Sequence, residues 1–348
     1  MELIMINGLY GKINNKNMSR IIICLTPVKN ESWILDRFLS LTSLWADYII
    51  IANQNSTDKS KEIAKKYSKV ILIENNSKYF NEPERQKMLL DESRKIEGEK
   101  IIFTLDADEI LTSNYFNSPE WDTVINAKIG TVIYFEWMNI KPDLKTMWSG
   151  GFMPLAFIDD GSEHCGEMIH SPRIPLPKNA NSIRLNDIKI MHFQYTDWNR
   201  MKMKQRWYQC YEKINKKNIN NIDIYRMYHH MDVIPKDKIN NIPKEWFQGY
   251  IDINIDLTSV NVDNLYYWER DILDYLLKYG LDYFKYIDIW DIKWEKIAEK
   301  WGFENVELFI MKKDIFMKIL KIYLQKTQKI YNNKFIKIID YLLKNILT

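Results

Sequence analysis

Short β-prone segments alternate with helical ones over the first third of the chain, and this alternation limits the fold more than any other feature. The β-prone segments are apolar runs at residues 20–26, 48–52, 70–73 and 101–105. Between them, the spacing of apolar and helix-capping residues predicts helices at 32–45, 59–67 and 81–96. The order βαβαβαβ predicts an α/β fold with a Rossmann-like, mainly parallel central sheet flanked by helices.

The fourth β-prone run ends in two aspartates. In KIIFTLDADEI (100–110), a strand suited to burial is followed by Asp106 and Asp108. Residues two apart in an extended segment point the same way, so both carboxylates are predicted to face one point beyond the strand's carboxyl end. Open α/β sheets bind ligands at this edge. Two oxygen donors there suit Mg²⁺ or Mn²⁺.

Three polar turns are predicted to meet at that edge of the sheet. Right-handed crossovers between parallel strands place the turns at 26–31, 53–58 and 106–109 side by side. Pro27 is expected to end the first strand, because proline cannot donate to a sheet ladder. A carboxylate pair after a strand also arises by chance or as a helix cap. Its position beside two other polar turns favours a metal and nucleotide site.

The composition allows one catalytic domain and a smaller appendage. With 348 residues and 46% hydrophobic content, the chain can bury a large core. We predict a leader over residues 1–17, a catalytic domain over 18–217 and a mostly helical C-terminal region over 218–348. The net charge of +3 argues against a nucleic-acid-binding protein. Three cysteines without a Cys-x-x-Cys pair indicate a reducing compartment.

The sequence predicts no membrane span and no signal peptide, because no segment approaches about eighteen apolar residues. We therefore expect a cytoplasmic protein. Its C-terminal region, with helices expected at 264–279, 291–301 and 306–347, combines apolar residues with many lysines. These helices either cover the core with their apolar side or rest on anionic lipid at the inner face of the membrane.

The middle of the chain is predicted to carry two more strands and a long irregular segment. The strands are expected at 131–137 and 188–193, and the second contains His192. Residues 139–177 indicate a loop region, because they include Ser149-Gly150-Gly151 and Asp159-Asp160-Gly161. A loop of this length inside a domain is usually functional or poorly ordered.

Together these motifs resemble the start of the family 2 glycosyltransferases of the GT-A fold. The resemblance rests on TPVKNE (26–31), YIIIANQNSTDKS (48–60) and LDADE (105–109), in this order among alternating strands and helices. It covers residues 20–111 well and continues more loosely through His192. There, HFQYTDWNRMKMKQRWYQCYE is similar to a downstream block of some bacterial members.

The resemblance implies a nucleotide-sugar site. Thr26, Pro27 and Glu31 correspond to residues that surround the nucleobase and ribose. Asn53 stands where many members carry an Asp that accepts a hydrogen bond from the uracil ring N–H. Because Asn presents either a carbonyl or an NH₂ group, uridine is favoured and guanine and cytosine stay open. Arg85 corresponds to a basic residue that lies near the donor in members of the family. The segment around Gly150 corresponds to a glycine loop that borders the donor sugar.

The resemblance also implies a metal centre and a catalytic base. Asp106 and Asp108 correspond to the motif that binds Mn²⁺ or Mg²⁺ on the donor diphosphate, and His192 to a late histidine that completes the metal shell. The Glu-Asp pair usual in the family is missing in that form. The acceptor-activating carboxylate is expected near Asp159 and Asp160, and it stays open among Asp159, Asp160, Glu163 and Glu167.

The implied reaction transfers a sugar from a nucleotide-diphosphate sugar, with UDP-sugars favoured, to a hydroxyl of a glycan or lipid-linked acceptor, with inversion at the anomeric carbon. Two other functions stay open. A haloacid-dehalogenase-type phosphatase also uses a strand-borne Asp-x-Asp with Mg²⁺, although it usually carries the nucleophile on its first strand. A non-catalytic carbohydrate-binding protein with a degenerate transferase fold would instead use the 12 Trp and 21 Tyr residues.

Overall fold

The computed structural model describes residues 20–77, 81–166, 171–216, 218–257 and 265–347, so the predicted leader lies outside the described residues. Within them, one sheet of nine strands forms the centre of the molecule. The strands are β1 (Ile21–Val28), β2 (Tyr48–Asn53), β3 (Val70–Glu74), β4 (Lys100–Thr104), β5 (Glu109–Leu111), β6 (Val132–Ile140), β7 (Thr146–Ile158), β8 (Ser182–His192) and β9 (Ile239–Asn241).

Eleven α-helices lie within the same residues. They are α1 (Leu35–Thr42), α2 (Ser60–Ala64), α3 (Glu82–Arg94), α4 (Pro119–Ile125), α5 (Trp198–Asn215), α6 (Asn221–Tyr228), α7 (Glu245–Ile251), α8 (Tyr267–Tyr279), α9 (Trp294–Lys300), α10 (Ile315–Thr327) and α11 (Lys334–Ile346). Helices α1 and α3 cover opposite faces of the sheet. Cys24 of β1 packs in the cluster that contains α1, whereas the next residue, Leu25, packs against Leu89 of α3.

The strand order is β3-β2-β1-β4-β7-β6-β8-β5, and β9 pairs with β7. The first four strands in this order are parallel neighbours. Strand β7 runs antiparallel to both β4 and β6, and β5 runs antiparallel to β8, while β6 and β8 are parallel. The sheet thus joins a parallel half, built by the predicted βα units, to a mixed half. The predicted α/β fold with a helical C-terminal region is confirmed.

The expectation that Pro27 ends the first strand is wrong. The Leu25 carbonyl accepts a hydrogen bond from the N–H of Leu105, just after β4, at 3.1 Å. Alternate residues of a parallel strand bond to the same neighbour, so residue 27 also faces the β4 side. Because β4 ends at Thr104, a proline there has no ladder partner to lose, and β1 continues to Val28.

The expectation of an irregular segment at 139–177 is wrong over β7, whose thirteen residues lie inside it. Gly150 and Gly151, which indicated a loop, belong to this strand, and so does Pro154. The pairing of β7 with β6 shifts register next to Pro154 and again close to Gly150. Local irregularities of this kind let a strand accommodate residues that otherwise break a ladder.

The helices after β8 build a second hydrophobic core beside the sheet. Trp207 and Cys210 of α5 pack there with Trp268 and Ile272 of α8 and with Trp294 of α9. Helix α5 therefore shares a core with the C-terminal helices, although the predicted domain boundary at 217 separates them. Among the described helices, none combines the length and apolar character needed to cross a membrane.

Candidate active site

A cleft of about 530 Å³ lies at the carboxyl ends of the parallel strands. Pro27 of β1, Gln54 after β2 and the pair Asp106 and Asp108 after β4 all line it. The convergence of three strand ends that the sequence predicts is therefore present. The opposite wall comes from α5 and α8, which contribute Lys204, Trp207, Tyr208, Tyr211, Tyr267, Trp268, Asp271, Asp274, Tyr275 and Tyr279.

Asp106 is held by a half-buried arginine from a distant part of the chain. Arg173 Nη2 donates to Asp106 Oδ2 at 2.9 Å and to Glu109 Oε1 at 3.0 Å, and its Nη1 bonds to the other Glu109 oxygen. The backbone N–H of Asp106 donates to Glu109 Oε2 at 3.0 Å. Burial raises the pKa of Glu109, and Arg173 opposes that rise. Glu109 therefore fixes the Asp106 turn from within the protein.

Asp108 is buried next to His192. The distance from His192 Nε2 to Asp108 Oδ2 is 3.7 Å. Burial by itself would raise the pKa of Asp108, but His192, Lys204 and Arg200 outweigh it and hold the pKa below the ordinary value. The carboxylate is therefore ionised at neutral pH.

His192 is positioned by the two strands beside β8. It pairs with Asn139 on β6 and with Glu109 on β5. The Asn139 Oδ1 and His192 Nδ1 atoms are 2.8 Å apart, and Trp137 stacks on the imidazole at a centroid distance of 4.1 Å. The two ring nitrogens of His192 therefore face different partners, Nδ1 the Asn139 carbonyl oxygen and Nε2 the Asp108 carboxylate.

Gly150 supports this arrangement from behind. A Cβ atom at this position would lie 3.0 Å from Asn139 Nδ2 and 3.0 Å from a ring carbon of Trp137. Gly150 thus lies in β7, not in a loop, and it is not among the residues that line the cleft. Its predicted role beside the donor sugar stays a prediction.

Glu31 lines the cleft but is already paired. Arg200 Nη2 donates to Glu31 Oε2 at 2.7 Å, and the indole N–H of Trp33 donates to the same oxygen at 2.6 Å. Arg200 in turn lies over the ring of Trp268, 4.8 Å from its centroid. Burial raises the pKa of Glu31, and Arg200 opposes the rise. This pair joins the β1 turn to α5 and α8.

Thr26 and Asn53 are buried at the strand ends and are not among the lining residues. Asn53 Nδ2 donates to Glu74 Oε2 at 2.9 Å, whereas its Oδ1 has no hydrogen-bond partner within the described residues. An unused carbonyl acceptor at this place is what a base ring N–H would require. Pro27 and Arg85, by contrast, line the cleft directly.

Asp159 and Asp160 are not among the residues that line the cleft. Arg94 of α3 binds both oxygens of Asp159, at 2.8 and 3.2 Å. Asp160 is exposed and accepts from the backbone N–H of Ser162 at 2.9 Å. Their predicted role as the catalytic base stays a prediction. Glu163 forms a surface ion pair with Lys87, and Glu167 lies outside the described residues.

The wall formed by α5 and α8 contains residues that sequence reasoning missed. Asp271 of α8 is half-buried in the cleft, and burial raises its pKa while Lys29 opposes the rise. Lys29 also lies over Tyr267, 4.7 Å from the ring centroid. The clustering of aromatic residues at 266–268, 275 and 279 was the available signal, but nothing local connects that segment to the β4 turn.

The residues present supply the chemistry of a metal site, although the described residues contain no ready-made group of three or more His, Cys, Asp or Glu. Asp106 and Asp108 offer hard carboxylate oxygens to one cleft, and His192 Nε2 faces Asp108 at 3.7 Å. Lys29, Arg85 and Lys204 add positive charge along the same cavity. Such a set of groups suits a diphosphate with a bound cation.

Residues 23–118 match the family model described as glycosyl transferase family 2. A search of curated proteins finds no match to the chain. The family match confirms the resemblance predicted from the sequence and, with it, the GT-A fold class.

Similar solved structures include a glucosyl-3-phosphoglycerate synthase from Mycobacterium tuberculosis in complex with Mn²⁺, uridine diphosphate and phosphoglyceric acid. The similarity has 16% identity and a TM-score of 0.25, and it covers 34% of this chain and 43% of that one. The structure of S. aureus TarS 1–349 is similar with 9% identity and a TM-score of 0.34, over 90% of this chain and 91% of that one. The structure of HddC from Yersinia pseudotuberculosis is similar with 12% identity and a TM-score of 0.29, over 50% of this chain and 93% of that one. The chain spans less than half the length of the M. tuberculosis enzyme, and at these scores the similarities carry no conclusion about donor or acceptor.

Proposed function

We propose that the chain is a glycosyltransferase whose cleft transfers a sugar from a nucleotide-diphosphate sugar to a hydroxyl of a glycan or lipid-linked acceptor. Residues 23–118 match the family model described as glycosyl transferase family 2, which supports this proposal. One observation carries this proposal. Asp106 and Asp108 line the same cleft as Pro27 and Gln54, so three strand ends bring acidic and amide groups to one cavity.

Asp106 and Asp108 are the residues that we propose to hold Mn²⁺ or Mg²⁺, with His192 as a further ligand. Two donor atoms that each lie about 2.1 Å from one ion are at most about 4.2 Å apart. The 3.7 Å between His192 Nε2 and Asp108 Oδ2 falls within that limit. When bound, such an ion stabilises the negative charge that develops on the departing diphosphate.

The donor nucleotide is proposed to be uridine diphosphate. The buried Asn53 Oδ1 lacks a partner among the described residues and can accept from the uracil ring N–H. Thr26, Pro27 and Glu31 border the same strand end, and Arg85 adds a cation to the cleft. We place the sugar next to the diphosphate, on the side of the cleft that faces α8.

The catalytic base is proposed to be Asp271. Its carboxylate lines the cleft on the wall opposite Asp106 and Asp108, among aromatic side chains that suit the faces of sugar rings. In the reaction, an acceptor oxygen attacks the anomeric carbon as the bond from that carbon to the diphosphate breaks, and Asp271 takes the hydroxyl proton. Attack from the face opposite the leaving group inverts the anomeric centre. Asp159 and Asp160 are the alternatives that the sequence suggests.

Titration calorimetry of UDP with and without Mn²⁺ tests the donor site. We expect Mn²⁺ to raise the affinity of the natural protein for UDP. In Asp106→Asn and in Asp108→Asn this increase in affinity should be at least about tenfold smaller, because each substitution removes a charged metal ligand. Asp122→Asn, an exposed aspartate on α4, is the matched control and should bind like the natural protein.

The same titration, together with an assay of hydrolysis and transfer from nucleotide sugars, separates the remaining functions. UDP binding that is independent of Mn²⁺ in all proteins would contradict the metal site. Metal-dependent UDP binding without hydrolysis or transfer from any nucleotide sugar would favour a carbohydrate-binding protein. We do not propose a haloacid-dehalogenase-type phosphatase, because Asp106 follows the fourth strand and the matched family is a glycosyltransferase family.

A further inference from the structure

Exposed apolar side chains are concentrated in the last two helices. Of the 23 large apolar side chains that are exposed in the described residues, 11 lie between Ile315 and Ile346. Phe335 is 78% exposed and Ile315 is 75% exposed. A monomeric soluble protein scatters such residues singly, so a concentration of this kind marks an interaction surface.

These side chains form continuous helical faces. On α10, Ile315, Ile319 and Ile322 follow the spacing of one face, and the buried Leu320 and Leu324 occupy the opposite one. On α11, Phe335, Ile338, Ile339, Leu342 and Ile346 share one exposed face, and the exposed Tyr341 lies outside it. We call these eight residues the C-terminal surface.

Helix α11 has apolar residues on both its attached side and its exposed side. Its attached side includes Leu343, which packs in a small cluster with α6 and α10, and Asp340, which bonds to Arg226 of α6. A helix that is apolar nearly all round is normally buried on all sides. Within the described residues nothing covers the outer side of α11, so this side is open to a partner.

The charge around the surface indicates which partner fits. Residues 312–348 contain nine lysines and two aspartates, a balance of +7. Since the whole chain carries +3, the preceding 311 residues carry −4. Six of these lysines form no ion pair or hydrogen bond among the described residues: Lys312, Lys318, Lys326, Lys329, Lys334 and Lys337.

We propose that the C-terminal surface binds an anionic lipid bilayer, with α10 and α11 lying in the plane of the interface. Exposed isoleucine, leucine and phenylalanine side chains would enter the boundary between headgroups and acyl chains, and the surrounding lysines would contact anionic headgroups. A second copy of the chain fits less well, because a two-fold contact would bring two lysine-rich surfaces together. The proposal extends the proposed function, since a lipid-linked acceptor would then lie next to the enzyme.

Vesicle sedimentation of the full chain tests the proposal. The vesicles contain phosphatidylcholine alone or phosphatidylcholine with phosphatidylglycerol. We expect the protein to sediment with the anionic vesicles, and to do so about tenfold less in high salt, because salt screens the lysine contribution. The triple variant Phe335→Ser/Ile339→Ser/Leu342→Ser should bind the anionic vesicles at least about tenfold more weakly than the natural protein.

A second triple variant serves as the matched control. Ile129→Ser/Leu277→Ser/Leu308→Ser removes three exposed apolar side chains elsewhere and should sediment like the natural protein. Mn²⁺-dependent UDP binding, measured without vesicles, should be the same in all three proteins, so that failure of the membrane proposal is distinguishable from failure of the proposed function.

Three results would overturn the proposal. The natural protein could stay in the supernatant with both kinds of vesicle. The control variant could lose as much binding as the variant of the C-terminal surface. Light scattering could show that the natural protein is a dimer and the first triple variant a monomer, while neither protein binds vesicles. The C-terminal surface would then be a contact between copies of this chain.

Discussion

Arg226 of α6 is the residue on which the attachment of the last two helices depends most. Its guanidinium binds both oxygens of Asp340 on α11, at 3.0 and 3.2 Å. It also donates to the Leu324 carbonyl at 3.1 Å, to Gln328 Oε1 at 3.2 Å and to Thr327 Oγ1 at 2.7 Å. The side chains of Arg226 and Asp340 are only 7% and 10% exposed. Water therefore screens this ion pair little.

The substitution Arg226→Met should release α10 and α11 from the body of the protein. It leaves the Asp340 carboxylate buried with only the Tyr323 hydroxyl at 2.7 Å as a donor. Removing one partner of a buried pair costs about 3–5 kcal/mol, because the other charge stays buried without compensation. A loss of that size raises the population of the detached state about 10²- to 4 × 10³-fold.

Hydrogen exchange of the amides in α10 and α11, read by mass spectrometry, measures this effect directly. Arg270→Met is the matched control, because the Arg270–Asp274 pair is about half exposed and worth less than about 1 kcal/mol. Replacing both partners, as in Arg226→Met/Asp340→Leu, should restore most of the protection, since no unpaired charge remains. Exchange in Arg226→Met within about twofold of the natural protein would refute the reasoning.

Two further predictions concern the cleft. Asp271→Asn should lower kcat at least about 10²-fold, the usual contribution of a positioned base, while UDP binding by calorimetry stays unchanged. Burial raises the pKa of Asp271, and the base acts only when deprotonated, so kcat/KM should fall as the pH drops through a value above the ordinary aspartate range. The control Asp160→Asn should keep that pH profile. A larger loss of kcat in Asp160→Asn or Asp159→Asn than in Asp271→Asn would return the role of base to the sequence-based candidates. Gly150→Ala should weaken the Mn²⁺-dependent gain in UDP binding, because its Cβ would press on Asn139 and Trp137, which contact His192. An unchanged gain in Gly150→Ala would contradict the expectation that Gly150 helps to position His192.

The features that the sequence predicted well depend on neighbouring residues. The capping pattern at the start of α3 is an example, since the Asn81 side chain accepts from the backbone N–H of Glu84 at 3.3 Å and proline occupies the first turn. Asp197 caps α5 in the same way, with Arg200 as donor at 3.0 Å. In both cases the signal and the structure lie within four residues of each other.

Strand β7 could not be predicted from its own residues. Gly150, Gly151 and Pro154 oppose a strand locally, and the antiparallel partners β4 and β6 decide the outcome. The same holds for the partners of the candidate site. Arg173 lies 67 residues from Asp106 in the sequence, and Arg200 lies 169 residues from Glu31. No periodicity or motif joins such pairs, because only the tertiary fold brings them together.

The cleft itself belongs to both parts of the chain. Its strand-end side comes from the region that matches the family, whereas Asp271 and Tyr267 come from α8 in the C-terminal region. Helix α5 connects them, because it contributes Lys204 to the cleft and Cys210 to the core shared with α8 and α9. A boundary at residue 217 would expose that core and remove one wall of the cleft. Helix α8 is therefore part of the cleft. If α10 and α11 rest on a membrane as we propose, that contact would decide which acceptors reach the donor.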